Sequence, residues 1–431
     1  MSHVAVIGAG YVGLTTAACF AHLGHEVTCA DIDEERVAKL RKGEVSILEE
    51  GLPELVAEGL RSGRLRFVVG ASAAVGGAEF VFLCVPTPQG DDGAADLSFV
   101  ESVVRELAPV LRPATVVVNK STMPVGSTRV VRQLLTANRP RLDEIRVASN
   151  PEFLREGTAV HDFLHPARVV IGCDDTATAV RVSDLYRDVQ APIVVTDAAS
   201  AEMVKYASNA FLATKISFVN AIANLCESVD ADVRDVTLGM GYDPRIGFEF
   251  LNPGPGYGGS CFPKDTAALL HTASTNDYDF SLLSGVVDVN RRQHARMVDK
   301  VRDLAGGDLA GVRVGVWGLT FKADTDDLRD SPAIAITGEL LARGALVRAY
   351  DPAAGERVAE LLPDLEVVTD AYEACRDARV LALLTEWDEF RWVDFARVRE
   401  LLEAPALLDA RNLLDPVAMR RRGFVYQGVG R

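Results

Sequence analysis

The segment YGGSCFPKD, residues 257–265, sets a cysteine behind two glycines and ahead of a lysine–aspartate pair. Gly258 and Gly259 clear space for close approach to Cys261. Lys264 supplies a cation that favours the thiolate, the reactive form of cysteine, and Asp265 can orient a water or a neighbouring lysine. By itself the segment admits a packed core thiol, a redox sensor or a nucleophile that bonds to a substrate. Lys205 and Asn209 stand four apart in a long helical stretch, so their side chains point the same way. Together they can hold an alkoxide or a thiohemiacetal oxyanion, where loss of one such donor costs about 10²–10³ in rate. In NPEFLREG (150–157) Glu152 and Glu156 are also four apart. A helical turn there would put both carboxylates on one face for general acid–base work, although an exposed pair at a helix start reads the same way. Thr87 in CVPTP and Thr122 in KSTMPVGST follow β-rich runs, either in reach of a ligand or as ordinary turn hydroxyls. His161 and His165 have the i,i+4 spacing of zinc ligands, but no H-E-x-x-H and no third ligand accompany them, so they read as structural and no metal site is expected.

The elements that must position these residues alternate in type. HVAVIGAG (3–10), EVTCADID (26–33), EFVFLCVP (79–86), TVVVN (115–119) and IRVASN (145–150) read as strands with helices between them, the first helix over 11–23. Strands apolar on both faces and separated by helices imply a parallel sheet covered on two sides. Gly8, Gly10 and Gly13 spell G-x-G-x-x-G after the first strand, and Asp31 follows Gly13 by 18 residues at the tip of the second. In that context the motif is a dinucleotide fingerprint: a tight turn, close approach of a pyrophosphate to backbone N–H groups at a helix start, and an acid for the ribose hydroxyls. Asp31 would repel the extra phosphate of NADP, which favours NAD, and Arg36 is near enough to flank the adenosine or to be a solvated helix charge. A helix with few breakers begins near Ser200, the Gly- and Pro-rich stretch 241–265 reads as a loop, and from residue 312 the strand, turn, helix, strand, acid order returns. The expectation is an α/β chain of two Rossmann-like, doubly wound domains joined by a long central helix. The expected division is 1–198, 199–300 (spine, dimerisation and cysteine loop) and 301–431.

Composition narrows the classes. A formal net charge of −16 argues against nucleic acid, whose phosphates need clustered Lys and Arg. No apolar run approaches the roughly 18 residues of a membrane span, and the start lacks the basic region and cleavage site of a signal peptide. Seven widely spaced cysteines without C-x-x-C argue against a disulfide framework and for a reducing cytoplasm.

Seven segments in order, GAGYVGL, CVPTP, STMPVGST, NPEFLREG, EMVKYASNAFLATKI, PGYGGSCFPKD and GLTFKADTDDLRDSP, resemble the UDP-glucose/GDP-mannose dehydrogenase family over nearly the whole chain. The resemblance implies a four-electron oxidation of a sugar-nucleotide primary alcohol, with two molecules of NAD reduced in turn. It gives Cys261 the aldehyde as a thiohemiacetal and then a thioester, Thr122 and Glu152 the protons, Lys205 and Asn209 the oxyanion, and Asp265 the ordering of the base or water. By the same carry-over Glu156, Arg245, Phe250, Asn252, Tyr257, Lys322 and Arg411 fall in the substrate set. Gly8, Gly10, Tyr11, Val12, Gly13, Asp31, Arg36, Thr87, Thr122, Lys264 and Arg329 fall in the cofactor set. Arg245 matches an arginine that reaches the sugar of the neighbouring subunit, which implies a homodimer, or else it makes a local salt bridge. Asn252 departs from a lysine in some relatives. The Cys261 segment is most similar to the UDP-glucose branch, implying UDP-glucose oxidation to UDP-glucuronate, with GDP-mannose or UDP-N-acetylmannosamine as the alternative inside the family. Outside it stand a two-electron hydroxyacid dehydrogenase using Lys205 and Asn209, and an NAD-sensing thiol regulator without turnover.

Overall fold

A computed structural model describes residues 1–90, 93–139 and 145–431. It falls into two compact units, Met1–Ser208 with Ala267–Asp277, and Asn209–Thr266 with Tyr278–Arg431.

The first unit is built on eight strands: β1 (His3–Ile7), β2 (Glu26–Asp31), β3 (Leu65–Val69), β4 (Phe80–Leu83), β5 (Val116–Asn119), β6 (Arg146–Ser149), β7 (Val169–Gly172) and β8 (Ile193–Thr196). Their order is β3-β2-β1-β4-β5-β6-β7-β8. All neighbours are parallel except β6 and β7, which meet antiparallel at the single pair Ser149–Gly172. Strand alternation sends Val4 and Val6 of β1 into one apolar cluster and Ala5 and Ile7 into another, so helices cover both faces. On one face α1 (Tyr11–His22) is buried from Gly13 to Ala21, and its Phe20 packs against Phe82 and Phe163 with ring centroids 5.1 and 5.2 Å away. Burying a side chain of that size stabilises the fold by about 1.5–3 kcal/mol.

The second unit repeats the plan with β9 (Arg313–Trp317), β10 (Leu346–Tyr350), β11 (Glu366–Val367), β12 (Val380–Leu383), β13 (Ala406–Asp409) and β14 (Val425–Gln427), all parallel, in the order β11-β10-β9-β12-β13-β14. Val314 and Val316 face one cluster and Trp317 the other. In both sheets the winding reverses beside the first strand, between β1 and β4 and between β9 and β12, the crevice where open α/β sheets take ligands. The expected fold class is therefore observed: two doubly wound sheets joined by a long central helix, Ala198–Ser228, of 31 residues. Strands β3, β7, β8, β11 and β14 are additions to the expected set, and the antiparallel β7 departs from an all-parallel first sheet.

Two expectations are corrected. No helical turn forms over 151–155, so Glu152 and Glu156 are not paired on a helix face; Glu152 is buried in an irregular connection and Glu156 is half-buried in the turn that follows it. The loop ends earlier than expected, because a helix runs over Phe262–Thr275. Pro263 suits its first turn, where a missing N–H leaves no helical bond unmade.

Candidate active site

In the first unit the turn after β1 carries the dinucleotide motif. A Cβ on Gly13 would lie 1.8 Å from the Gly8 carbonyl oxygen, so helix and turn pack this closely only without a side chain. Gly10 caps α1 without any side-chain hydrogen bond, and a Cβ there would meet nothing within 4 Å. The helix start, with the Tyr11 and Val12 backbone, thus opens onto free space, which fits a pyrophosphate on N–H donors. Asp31, at the tip of β2, accepts from the Ala9 N–H at 2.8 Å and the Asp33 N–H at 3.0 Å, and Arg36 Nη1 lies 3.2 Å from its Oδ2. These groups fix the carboxylate beside the turn where ribose hydroxyls would arrive. The Tyr11 ring turns elsewhere: its hydroxyl bonds to the Glu49 carboxylate and accepts the Gly157 N–H at 2.9 Å. Burial and the Glu49 charge push the Tyr11 phenol far up, so it stays a neutral donor. Thr87 donates to the Thr122 carbonyl at 2.8 Å, and both are buried past the carboxyl ends of β4 and β5.

Beyond β6, Glu152 accepts Lys205 Nζ at 2.8 Å and the Leu154 N–H at 2.6 Å. The two residues are 5% and 3% exposed, so this is a dry ion pair. Burial pushes the Glu152 carboxyl up; the Lys205 ammonium, the two hydrogen bonds and the Lys120 charge outweigh it and hold the group below the ordinary carboxylate range.

In the second unit Cys261 occupies the turn that opens Phe262–Thr275. Its carbonyl accepts the Asp265 N–H at 2.9 Å, so the thiol stands at a helix N-terminus. Cys261 is partly exposed, whereas the other six cysteines are buried. Asp265 takes Asn209 Nδ2 on one oxygen and Lys264 Nζ on the other, both at 2.6 Å, so Lys264 pairs with the acid next to it. Two glycines seat the loop. Gly259 has φ +81° and donates to the Arg329 carbonyl at 3.0 Å, and a Cβ on Gly258 would lie 2.1 Å from the Asp330 carbonyl oxygen. The loop backbone is tied to the helix Ser281–Ala305 where Asn290 bonds both the N–H and the carbonyl of Tyr257, at 2.8 and 3.0 Å.

The remaining expected residues of this unit separate into two groups. Phe250 and Tyr257 set their rings edge-on to Phe262, beside Cys261, with centroids 6.2 and 6.1 Å away. Phe250 keeps φ +62°, a strained value for an aromatic residue, of the kind found at ligand sites. Arg411 donates to the carbonyls of Phe321 at 2.6 Å and Leu384 at 2.8 Å, and Lys322 sits 5.6 Å from the Phe321 ring centre. In contrast Arg245, 86% exposed at its side chain, forks onto Asp243 at 2.5 Å, Arg329 forks onto Asp327 at 2.7 Å, and Asn252 is exposed.

Two buried groups were not anticipated. Glu49 joins Tyr11 to the turn after Glu156 by accepting the Gly157 and Val160 N–H groups at 2.8 and 3.3 Å. Lys120 donates to Asn150 Oδ1 at 3.1 Å and to the Tyr186 hydroxyl at 3.3 Å. The signal for Lys120 was a lysine just past the apolar run Val116–Val118, with only Asn119 between; nothing in the spacing marks Glu49. Among the described residues no group of three or more His, Cys, Asp or Glu side chains is placed to hold a metal, and no helix is long and apolar enough to cross a membrane.

Comparison with known proteins identifies the family. Residues 2–190 match the NAD binding domain of the UDP-glucose/GDP-mannose dehydrogenase family, 199–292 its central domain and 315–416 its UDP binding domain. A UDP-glucose 6-dehydrogenase of Rhizobium meliloti is 46% identical over 99% of both chains. The solved UDP-glucose dehydrogenase of Pyrobaculum islandicum superposes with a TM-score of 0.92 at 36% identity, over 100% of this chain and 98% of that one. A UDP-D-ManNAc dehydrogenase of Pyrococcus horikoshii gives 0.88 at 28% identity, over 99% of each. The nucleotide turn, the buried acid–lysine pair and the thiol loop are thus those of a chain that belongs to the UDP-glucose/GDP-mannose dehydrogenase family, an NAD-dependent oxidoreductase.

Proposed function

We propose that the protein oxidises UDP-glucose to UDP-glucuronate in two two-electron steps with Cys261 as the covalent nucleophile. The observation that carries the covalent role is that Cys261 alone of the seven cysteines is partly exposed, at a helix start, while the others are packed core thiols. The substrate choice follows the 46% identity over full length to a protein named for UDP-glucose.

NAD, when bound, accepts a hydride from carbon 6 of the sugar in each of two rounds. In the first, Glu152 takes the hydroxyl proton, directly or through a water steadied by Thr122, and the alcohol becomes an aldehyde. The Cys261 thiolate adds to that carbon, forming a C–S bond and an oxyanion that Lys205 and Asn209 neutralise. Loss of the second hydride leaves a thioester; water ordered by Asp265 adds to its carbonyl, the C–S bond breaks, and the thiolate and the carboxylate separate while the two protons of the water pass by way of Glu152 to solvent. Covalent capture keeps the aldehyde from escaping while the cofactor exchanges. The Phe250, Tyr257, Lys322 and Arg411 group forms the side that holds the sugar nucleotide.

We also place the active form as a homodimer, with Arg245 contributed to the neighbouring sugar site. On the helix Ala198–Ser228, Phe211, Phe218 and Leu225 recur every seven residues and are 64, 50 and 58% exposed, an apolar stripe suited to a second copy. The deciding experiment follows NADH with UDP-glucose, GDP-mannose and UDP-N-acetylmannosamine as limiting substrates. Two NADH per UDP-glucose is expected; turnover of another sugar nucleotide alone rejects the substrate, and one NADH per sugar rejects the covalent second step.

A further inference from the structure

The first unit buries two lysines, Lys205 and Lys120, whose charges act on the buried Glu152 carboxylate. Lys205 is the direct partner. Lys120 leaves the carboxyl end of β5 and is 5% exposed. Its ammonium is clasped by Asn150 Oδ1 and the Tyr186 hydroxyl, which itself donates to Asn150 at 2.6 Å, and it sits 5.8 and 5.7 Å from the ring centres of Phe163 and Tyr186. Asn150 is anchored in turn: its N–H bonds the Asn119 carbonyl at 2.9 Å and its Nδ2 the Val170 carbonyl at 2.8 Å. Asn150 precedes Glu152 by two residues, with Pro151 stiffening the link. The clasp therefore fixes both the start of the Glu152 segment and the position of a second cation.

The chemistry creates a need for that cation. If Lys205 turns to an oxyanion, as the proposed function requires, Glu152 is left buried without its partner, and an uncompensated buried charge takes up a proton instead. We infer that Lys120 is a positioning residue for Glu152: a fixed second counter-cation that keeps the carboxylate ionised while Lys205 serves the substrate oxygen. The groups acting on Lys120 are Cys84, Glu152, Lys205 and Cys19. Burial holds the amine down to about 8, still protonated at neutral pH, and burial pushes the Cys84 thiol up to about 12, so Cys84 supplies no competing charge.

The inference rests on the oxidation proposed above, and its test separates the two. The wild-type chain is first assayed with the three sugar nucleotides; no turnover of any of them would sink the proposed function alone. Lys120→Met and Lys120→Gln are then compared with wild type in two measurements. Gln keeps a donor for Asn150 and covers the case in which Met fails to fold. With whichever sugar nucleotide turns over, the acid limb of the kcat–pH profile is expected to rise by about one pH unit in both neutral variants and to return in Lys120→Arg, with KM within about twofold. Without cofactor or substrate, thermal unfolding is followed from pH 7 to 10.5. A lysine depressed in the folded state makes wild type gain stability as pH climbs from about 8 towards the ordinary lysine value near 10.5, so the gap in Tm between wild type and neutral variant should change steadily across that window. A Tm gap that stays constant over the window, or an acid limb that stays in place, overturns the inference.

Discussion

The Glu152–Lys205 contact is a buried pair, and breaking it from one side is costlier than never having formed it. Lys205→Met leaves a carboxylate in a dry pocket, and a loss of about 3–5 kcal/mol is expected by chemical denaturation, along with loss of turnover. The pH dependence has a definite sign. The folded carboxyl lies below its ordinary value of 4.5, so its stabilising contribution is complete above about pH 4.5 and fades as the pH falls through the lower folded value. Calorimetry of wild type should show that decline, and Glu152→Gln should show less of it. At this scale the sequence was informative wherever a reactive type stood out from its surroundings. Cys261 between glycines and a Lys-Asp pair, Lys205 and Asn209 on a mostly apolar helix, and Asp31 at a strand tip were all visible. Glu49 was not, because its partners Tyr11, Gly157 and Val160 lie over 35 residues away in the chain, and only folding brings them together.

At the scale of elements, backbone closeness makes the next forecast. Gly13→Ala puts a methyl 1.8 Å from a backbone oxygen that cannot rotate away, so the turn after β1 must open. NAD affinity, read by fluorescence titration, should fall by about 100-fold or more, as a displaced pyrophosphate cradle loses several hydrogen bonds at once. Gly258→Ala meets the Asp330 carbonyl at 2.1 Å and should cost turnover while leaving NAD affinity within about twofold; a variant with full kcat would contradict the seating of the thiol loop described above. The strands that flank the glycine turns, the helices after them and the spine were legible from period and breakers. Of the missed strands, β11 has two residues and β14 three, too few to carry an alternation, and the Ile193–Val195 run of β8 is exposed rather than enclosed. Length does not account for β3 and β7, which have five and four residues like strands that were recognised. The supposed helical turn at Glu152 failed because i,i+4 spacing is a necessary sign of a helix face and not a sufficient one.

For the whole molecule, a net charge of −16 means that nucleotide phosphates are held by local donors against the overall field. The apolar stripe on the central helix makes assembly testable: Phe218→Glu should convert a dimer to a monomer in analytical ultracentrifugation, and a wild-type chain already monomeric at micromolar concentration would contradict the homodimer. The central claim is the bond between the Cys261 sulfur and the oxidised sugar carbon. Its most direct measurement is intact-protein mass spectrometry after acid quench of a reaction with excess UDP-glucose and limiting NAD, followed by peptide mapping. A sugar-nucleotide adduct on the peptide holding Cys261, absent in Cys261→Ser, is the predicted result. Continued release of two NADH per sugar with no adduct on that peptide at any quench time would contradict the account.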